Sequence, residues 1–219
     1  MTLNKLILSL LFLIFNTCLF AQSKNDIQLW LGVSVKKKIY NEFVGTFQYR
    51  TRKVDNISRY KGSYFYLTLE RRINKTFNIE TNYRLAAVDN LYYHRYALGV
   101  EAQVKFEHNK FILRPLVQYQ KLATFNDIET SYNARSYFRP RLTWKNDYLK
   151  KVEFYINVEP FYKIDDNINV NWWQNAIGLK YELSKKVKLN PYFIWQPDYT
   201  HKSPASNYII GFDLEFNFK

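Results

Sequence analysis

The chain is poor in the residues from which many functional sites are built. It holds one cysteine, Cys18, so nothing downstream supports a disulfide framework, a thiol nucleophile or a Cys-ligated metal. Glycine and proline number six each, too few for collagen-like or low-complexity sequence. Histidine occurs three times, and His94, His108 and His201 are too scattered for metal-ligand spacing. No Gly-rich phosphate loop is present. After residue 21 no apolar run approaches the roughly 20 residues that a membrane-spanning helix needs, so a polytopic helical membrane protein is excluded.

What the chain has in excess is aromatic and basic. Aromatics make up 19% of the 219 residues, about double an ordinary soluble domain, and the formal charge is +13. Met1 to Ala21 has the form of an export signal. Lys5 supplies the positive end, Leu6 to Phe15 the apolar stretch, and Leu19-Phe20-Ala21 a cleavage site before Gln22. A lipidated Cys18 is the alternative, which Phe15-Asn16-Thr17 in front of it fits poorly. The expected organisation is a signal over 1–21 and one domain over 22–219.

Past residue 26 the hydrophobic period is two, the mark of strands with unlike faces. In 92–106 Tyr92, Tyr96, Leu98, Val100, Ala102, Val104 and Phe106 alternate with Arg95, Glu101, Gln103 and Lys105. Similar segments lie near 27–35, 42–52, 63–71, 77–86, 111–121, 134–144, 152–162, 173–183, 187–197 and 206–218. Most run ten or more residues, a length suited to a strand tilted across a bilayer. Short connections near 36–41, 72–76, 107–110, 145–151 and 184–186 alternate with longer ones near 53–61, 87–91, 122–132, 163–172 and 198–205. Short turns at one rim and long loops at the other form an outer-membrane meander. Eleven segments do not close the usual even-stranded barrel, so ten and twelve strands both stay open. Pro115, Pro140, Pro160, Pro191 and Pro197 fall inside strand-like runs, where proline cannot donate to a ladder, and mark bulges or positions near a rim.

Alternation alone does not separate a soluble barrel or sandwich with an apolar core from a membrane barrel turned inside out. Three features favour the second. Lysine concentrates in the short turns, whereas eight arginines (Arg50, Arg52, Arg84, Arg95, Arg114, Arg135, Arg139 and Arg141) lie on polar strand faces, where an enclosed lumen favours their planar fork. Carboxylates including Glu80, Glu101, Glu153, Glu159, Asp213 and Glu215 share those faces. The last segment alternates Tyr208, Ile210, Phe212, Leu214, Phe216 and Phe218, a C-terminal strand of the kind that barrel-insertion machinery reads. Trp30, Tyr64, Tyr92, Trp144, Tyr162, Trp172, Trp173 and Trp195 are expected in interfacial girdles. The expected fold is all-β, a single antiparallel up-and-down transmembrane β-barrel of about 10–12 strands.

Several local patterns strengthen this reading: the opening strand with Trp30, Phe47-Gln48-Tyr49-Arg50, and Arg135, Arg139 and Arg141 in the seventh segment. To these are added Asn157-Val158-Glu159-Pro160-Phe161, Gln174-Asn175 followed by Gly178-Leu179 and Tyr181, and Asn207 opening the last strand. In this order they resemble the outer-membrane family catalogued as domain of unknown function 2490, frequent in Bacteroidota. The family often carries Arg after the Gln-Asn pair, where this chain has Ala176. The resemblance spans most of the mature chain and implies an outer-membrane barrel with no known activity.

Catalytic alternatives are thin. His201-Lys202-Ser203 is the one His-x-Ser and lacks the surroundings of a phospholipase nucleophile. Glu153 and Glu159 sit about 20 Å apart along a strand, too far for one glycosidic bond. Nucleic-acid binding fits neither the export signal nor the separation of Lys from Tyr. The sequence therefore predicts no enzyme, no cofactor and no nucleic-acid partner. It predicts contact with outer-membrane lipids and an Arg/Glu-lined lumen. The lumen candidates are Arg50, Arg84, Arg95, Glu101, Arg114, Arg135, Arg139, Arg141, Glu153, Glu159 and Gln174. Either these charges pair across strands and fill the bore, or unpaired members such as Arg135, Arg139 and Arg141 line a passage for anionic solutes. The expected function is a small pore or solute-handling barrel, with a closed structural or adhesion barrel as the alternative.

Overall fold

The computed structural model describes residues 25–123, 134–164, 169–198 and 205–218. The export signal, Cys18 and the His201-Lys202-Ser203 triplet lie outside the described residues, as do most of the three longest connections.

Period-two alternation becomes strand throughout, and no helix occurs among the described residues. Thirteen strands appear in chain order: β1 Asp26–Tyr40, β2 Phe43–Val54, β3 Arg59–Arg72, β4 Phe77–Val88, β5 Leu91–Phe106, β6 Asn109–Arg114, β7 Leu116–Ala123, β8 Arg135–Phe138, β9 Arg141–Asn146, β10 Val152–Lys163, β11 Asn169–Glu182, β12 Val187–Asp198 and β13 Ala205–Phe218. Two breaks fall at prolines. β6 and β7 flank Pro115 and both pair with β5, while β8 and β9 flank Arg139-Pro140 and both pair with β10. Each of these pairs makes one stave, so the wall is a closed barrel of 11 staves.

The odd number settles how the ring closes. Antiparallel neighbours alternate in direction, so in an odd ring the first and last strands run the same way. Accordingly β1 pairs with β13 in parallel, from Asp26 opposite Asn207 to Lys37 opposite Phe218. An all-antiparallel wall is thus corrected at this one seam, and every other junction is antiparallel. With strands about 4.8 Å apart and tilted by about 40°, eleven staves give a backbone radius of about 11 Å.

The two faces sort as the alternation implies, with the apolar set outside. Leu98 is 60% exposed, Val100 42% and Phe212 41%, and Leu67, Val104, Leu113, Leu142 and Ile177 are exposed on neighbouring staves. Facing inward, Arg114, Gln118, Arg139, Glu159 and Asp213 are buried. Trp30 and Tyr64 are also buried in the interior, and Trp172 lines it, which corrects their placement in an outer girdle. Trp30 shares the parity of Gln28, Gly32 and Ser34, so its strand position carries it inward. Tyr92 and Trp195 are exposed, as a girdle requires.

The register places three prolines in one row. It is the same on both sides of each strand break, so Pro115 falls opposite Pro140 and Pro140 opposite Pro160. The Arg139 amide donates to the Leu116 carbonyl and the Ile164 amide to the Ser136 carbonyl, so the backbone of residue 140 faces residue 160. Neither proline has an N–H, and the ladder loses both bonds at that pair.

At one rim the connections stay short, but two predicted longer loops are tight. Residues 55–58 and 89–90 turn within a few residues. Asp89 and Asn90, at φ 49 and 63, take the left-handed pair of a two-residue hairpin. The strands β2 to β5 simply run further than the hydrophobic pattern shows.

Candidate functional site

The interior divides by height. Its waist lies just inside the proline row and is filled by ion pairs. Glu159 on β10 accepts from Arg114 at 2.8 Å and pairs with Arg139 at 3.1 Å, and Arg114 also reaches Glu80 at 3.1 Å. Arg139 donates to the Gln118 side chain and lies 4.0 Å from the centre of the Phe161 ring. Arg141 stands 3.8 Å from Glu101. Arg139 and Arg141 are therefore paired, which corrects the expectation that they are unpaired members of the lumen set.

Next to the seam the interior narrows through complementary sizes. Tyr155 and Tyr192 both stand opposite Gly178, and Tyr192 also stands opposite Gly211. A side chain on either glycine would overlap those rings. Two residues further along, Gly32 lies in register between Arg50 and Asp213, and the two meet at 2.7 Å. Any Cβ at Gly32 would land on the Asp213 carboxylate.

Towards the short-turn rim, lysines meet carboxylates at about equal numbers. The pairs are Lys36–Glu70, Lys145–Glu153, Lys180–Glu215 and Lys188–Glu182, all between 2.6 and 3.0 Å. Glu153 belongs here, below the waist and apart from the other lumen candidates.

Above the waist the balance fails. A cavity of about 400 Å³ lies on the side of the waist where β8 begins, and its lining carries seven arginines (Arg50, Arg52, Arg84, Arg95, Arg135, Arg139 and Arg141) against one carboxylate, Glu159. Gln118, Gln120, Gln174 and Gln196 add amides, and Trp30, Tyr66, Tyr137, Phe161 and Trp172 add aromatic surface. Arg52 is held between Trp30 and Tyr64, 3.7 and 4.0 Å from the ring centres, and donates to the Tyr66 hydroxyl at 3.1 Å. Arg84 donates to Gln120 at 2.8 Å and Arg95 to Asn82 at 3.1 Å. Among the described residues none of these three arginines meets a carboxylate. Arg84 and Arg95 moreover stand directly opposite each other on adjacent strands.

Eight of the eleven predicted lumen residues therefore converge on one cavity, while Arg114 and Glu101 belong to the waist. Sequence reasoning named Gln174 but missed the other glutamines and the aromatic lining. For some of them the signal was available, since Gln118 and Gln120 share strand parity with Arg114, Tyr137 with Arg135 and Phe161 with Glu159. At the cavity-side rim, Asp89 takes Arg59 at 3.1 Å and Lys61 at 2.8 Å, and the Lys61 hydrogen bond holds its carboxyl below the usual range. His108 meets Asp147 at the opposite rim, and among the described residues no three metal-ligating side chains gather.

No family model matches the chain, and no curated protein matches it.

Proposed function

We propose that the chain is an outer-membrane β-barrel that handles anionic solutes through its arginine-lined interior. The observation that carries this reading is the inversion of the usual globular pattern: apolar side chains cover the outside of a closed sheet while guanidinium groups are shut within it. A closed sheet leaves no edge to satisfy in hydrocarbon, and a lipid-facing surface favours exposed Leu, Val and Phe. The export signal and the aromatic-rich last strand support delivery and insertion by the machinery that reads such strands. The resemblance to the domain of unknown function 2490 family points the same way. A second reading is a closed barrel whose role lies in its rim, and the ion-paired waist favours it.

Refolding in detergent and in liposomes tests the first part. Heat-modifiable gel mobility and carbonate-resistant membrane association are expected, and a monomer stable in plain buffer would defeat the reading. Planar-bilayer recording separates the two roles. Small anion-selective currents support solute passage, and a silent but fully folded protein supports the closed barrel.

A further inference from the structure

We propose that the cavity above the waist is a binding site for a small soluble ligand bearing two or more oxyanion groups, of the phosphate or sulfate type. The proposal rests on the barrel reading for its compartment but not on whether the barrel conducts. Like charges directly opposite on adjacent strands destabilise a sheet, yet Arg84 faces Arg95 with no carboxylate between them. Arg84 and Arg95 donate to the Gln120 and Asn82 amides and Arg52 to the Tyr66 hydroxyl, none of them a carboxylate. The Nε atoms of Arg52, Arg84 and Arg95 are buried without a hydrogen-bond partner among the described residues. Unused, planar donors of one sign are suited to bidentate capture of oxyanions.

The surroundings narrow the class. At about 400 Å³ the cavity has the size of a small-molecule site. Arg50, Arg139 and Arg141 already meet Asp213, Glu159 and Glu101, so the excess rests on Arg52, Arg84 and Arg95, which repel cations and leave a neutral ligand without compensation for the crowded charge. The wall is a closed sheet, so a ligand reaches the cavity along the barrel axis and not from the lipid side. A phospholipid headgroup carries the same chemistry, but its chains have no path through the ladder.

The test uses the refolded full-length protein in dodecyl maltoside, titrated with sodium tripolyphosphate. Intrinsic tryptophan fluorescence and the thermal midpoint are followed together. Saturable binding, a raised midpoint, weaker binding of orthophosphate and loss of affinity with added salt are expected. The R84Q/R95Q variant should lose about tenfold or more in affinity while its ligand-free midpoint stays level or rises. K150Q/K151Q, at the opposite rim, should bind like the parent. Should the double variant fail to fold, Arg95→Gln alone serves, with a smaller loss expected. Absence of saturable binding by the heat-modifiable barrel would overturn the site, as would unchanged affinity in the arginine variants. A response only when anionic phospholipid is added to the micelles would overturn the soluble ligand in favour of a headgroup. Failure to refold with heat-modifiable mobility counts against the membrane reading instead.

Discussion

Arg114 and Arg139 share one carboxylate, that of Glu159, and they do so immediately inside the row where Pro115, Pro140 and Pro160 interrupt the ladder. Where the ladder loses both bonds at the Pro140 and Pro160 pair, side-chain ion pairs join the same staves. The three charged residues each neighbour one of the prolines in sequence, so wall and waist are one device.

Glu159→Gln should therefore be among the most damaging single changes in the interior. It leaves two buried guanidinium groups sharing a neutral amide, and breaking a buried pair costs about 3–5 kcal/mol. Urea unfolding in detergent measures the loss. Hydrogen exchange should show it concentrated in β6 to β10, and uniform deprotection would argue against the local role.

Gly32→Ala tests the crossing of Arg50 and Asp213. One methyl group would displace the carboxylate from its guanidinium, with a cost of about 1–3 kcal/mol typical of overpacking. Leu31→Ala, one residue away on the outer face, should cost less, since its side chain is 43% exposed. The same unfolding assay ranks the two.

Leu98→Arg separates a lipid-facing wall from a watery one. Leu98 lies mid-strand on β5 and is 60% exposed. In a bilayer an arginine near mid-depth costs about 2–4 kcal/mol, whereas on a water-facing surface the change is worth well under about 1 kcal/mol. Folding yield into liposomes, compared with yield in detergent, reads the difference. An unaffected yield would speak for a soluble barrel.

Acid should loosen the cavity-side rim around Asp89. Folding lowers the proton affinity of this carboxyl through Lys61 and then Arg59. Its contribution is thus present above the ordinary carboxylate range and fades as pH falls through the depressed value. The protection factors of amides flanking 55–61 and 89–90 should fall as pH drops below the ordinary carboxylate value of about 3.9, and Asp89→Asn should abolish that fall. A parent-like acid profile in the variant would assign the effect elsewhere.

The wall was legible in the sequence because period two reports inside and outside directly. All eleven alternating segments became staves, and Leu98 against Arg95 could be assigned from parity alone. Parity also carried the correction for Trp30 and Tyr64, where residue type suggested a girdle and strand position did not. What pattern reading missed depends on register. That Arg84 faces Arg95, that Pro140 faces Pro160, and that Arg139 reaches Glu159 follow from how many residues each turn consumes. The turns at 55–58 and 89–90 proved shorter than the hydrophobic pattern indicates, because polar and charged residues continue the strands past their apolar core. Height within the lumen was equally hidden, so Glu153 could not be separated from the cavity residues in advance.

The parallel seam has a topological consequence. Because β1 and β13 run the same way, the described chain starts at the cavity-side rim and finishes at the lysine-rich one. A reporter peptide fused ahead of Asp26 and another fused after Phe218 would emerge on opposite sides of any sheet of lipid the barrel crosses. Protease shaving of intact cells should then remove one and spare the other, whereas an even-staved barrel would present both ends together.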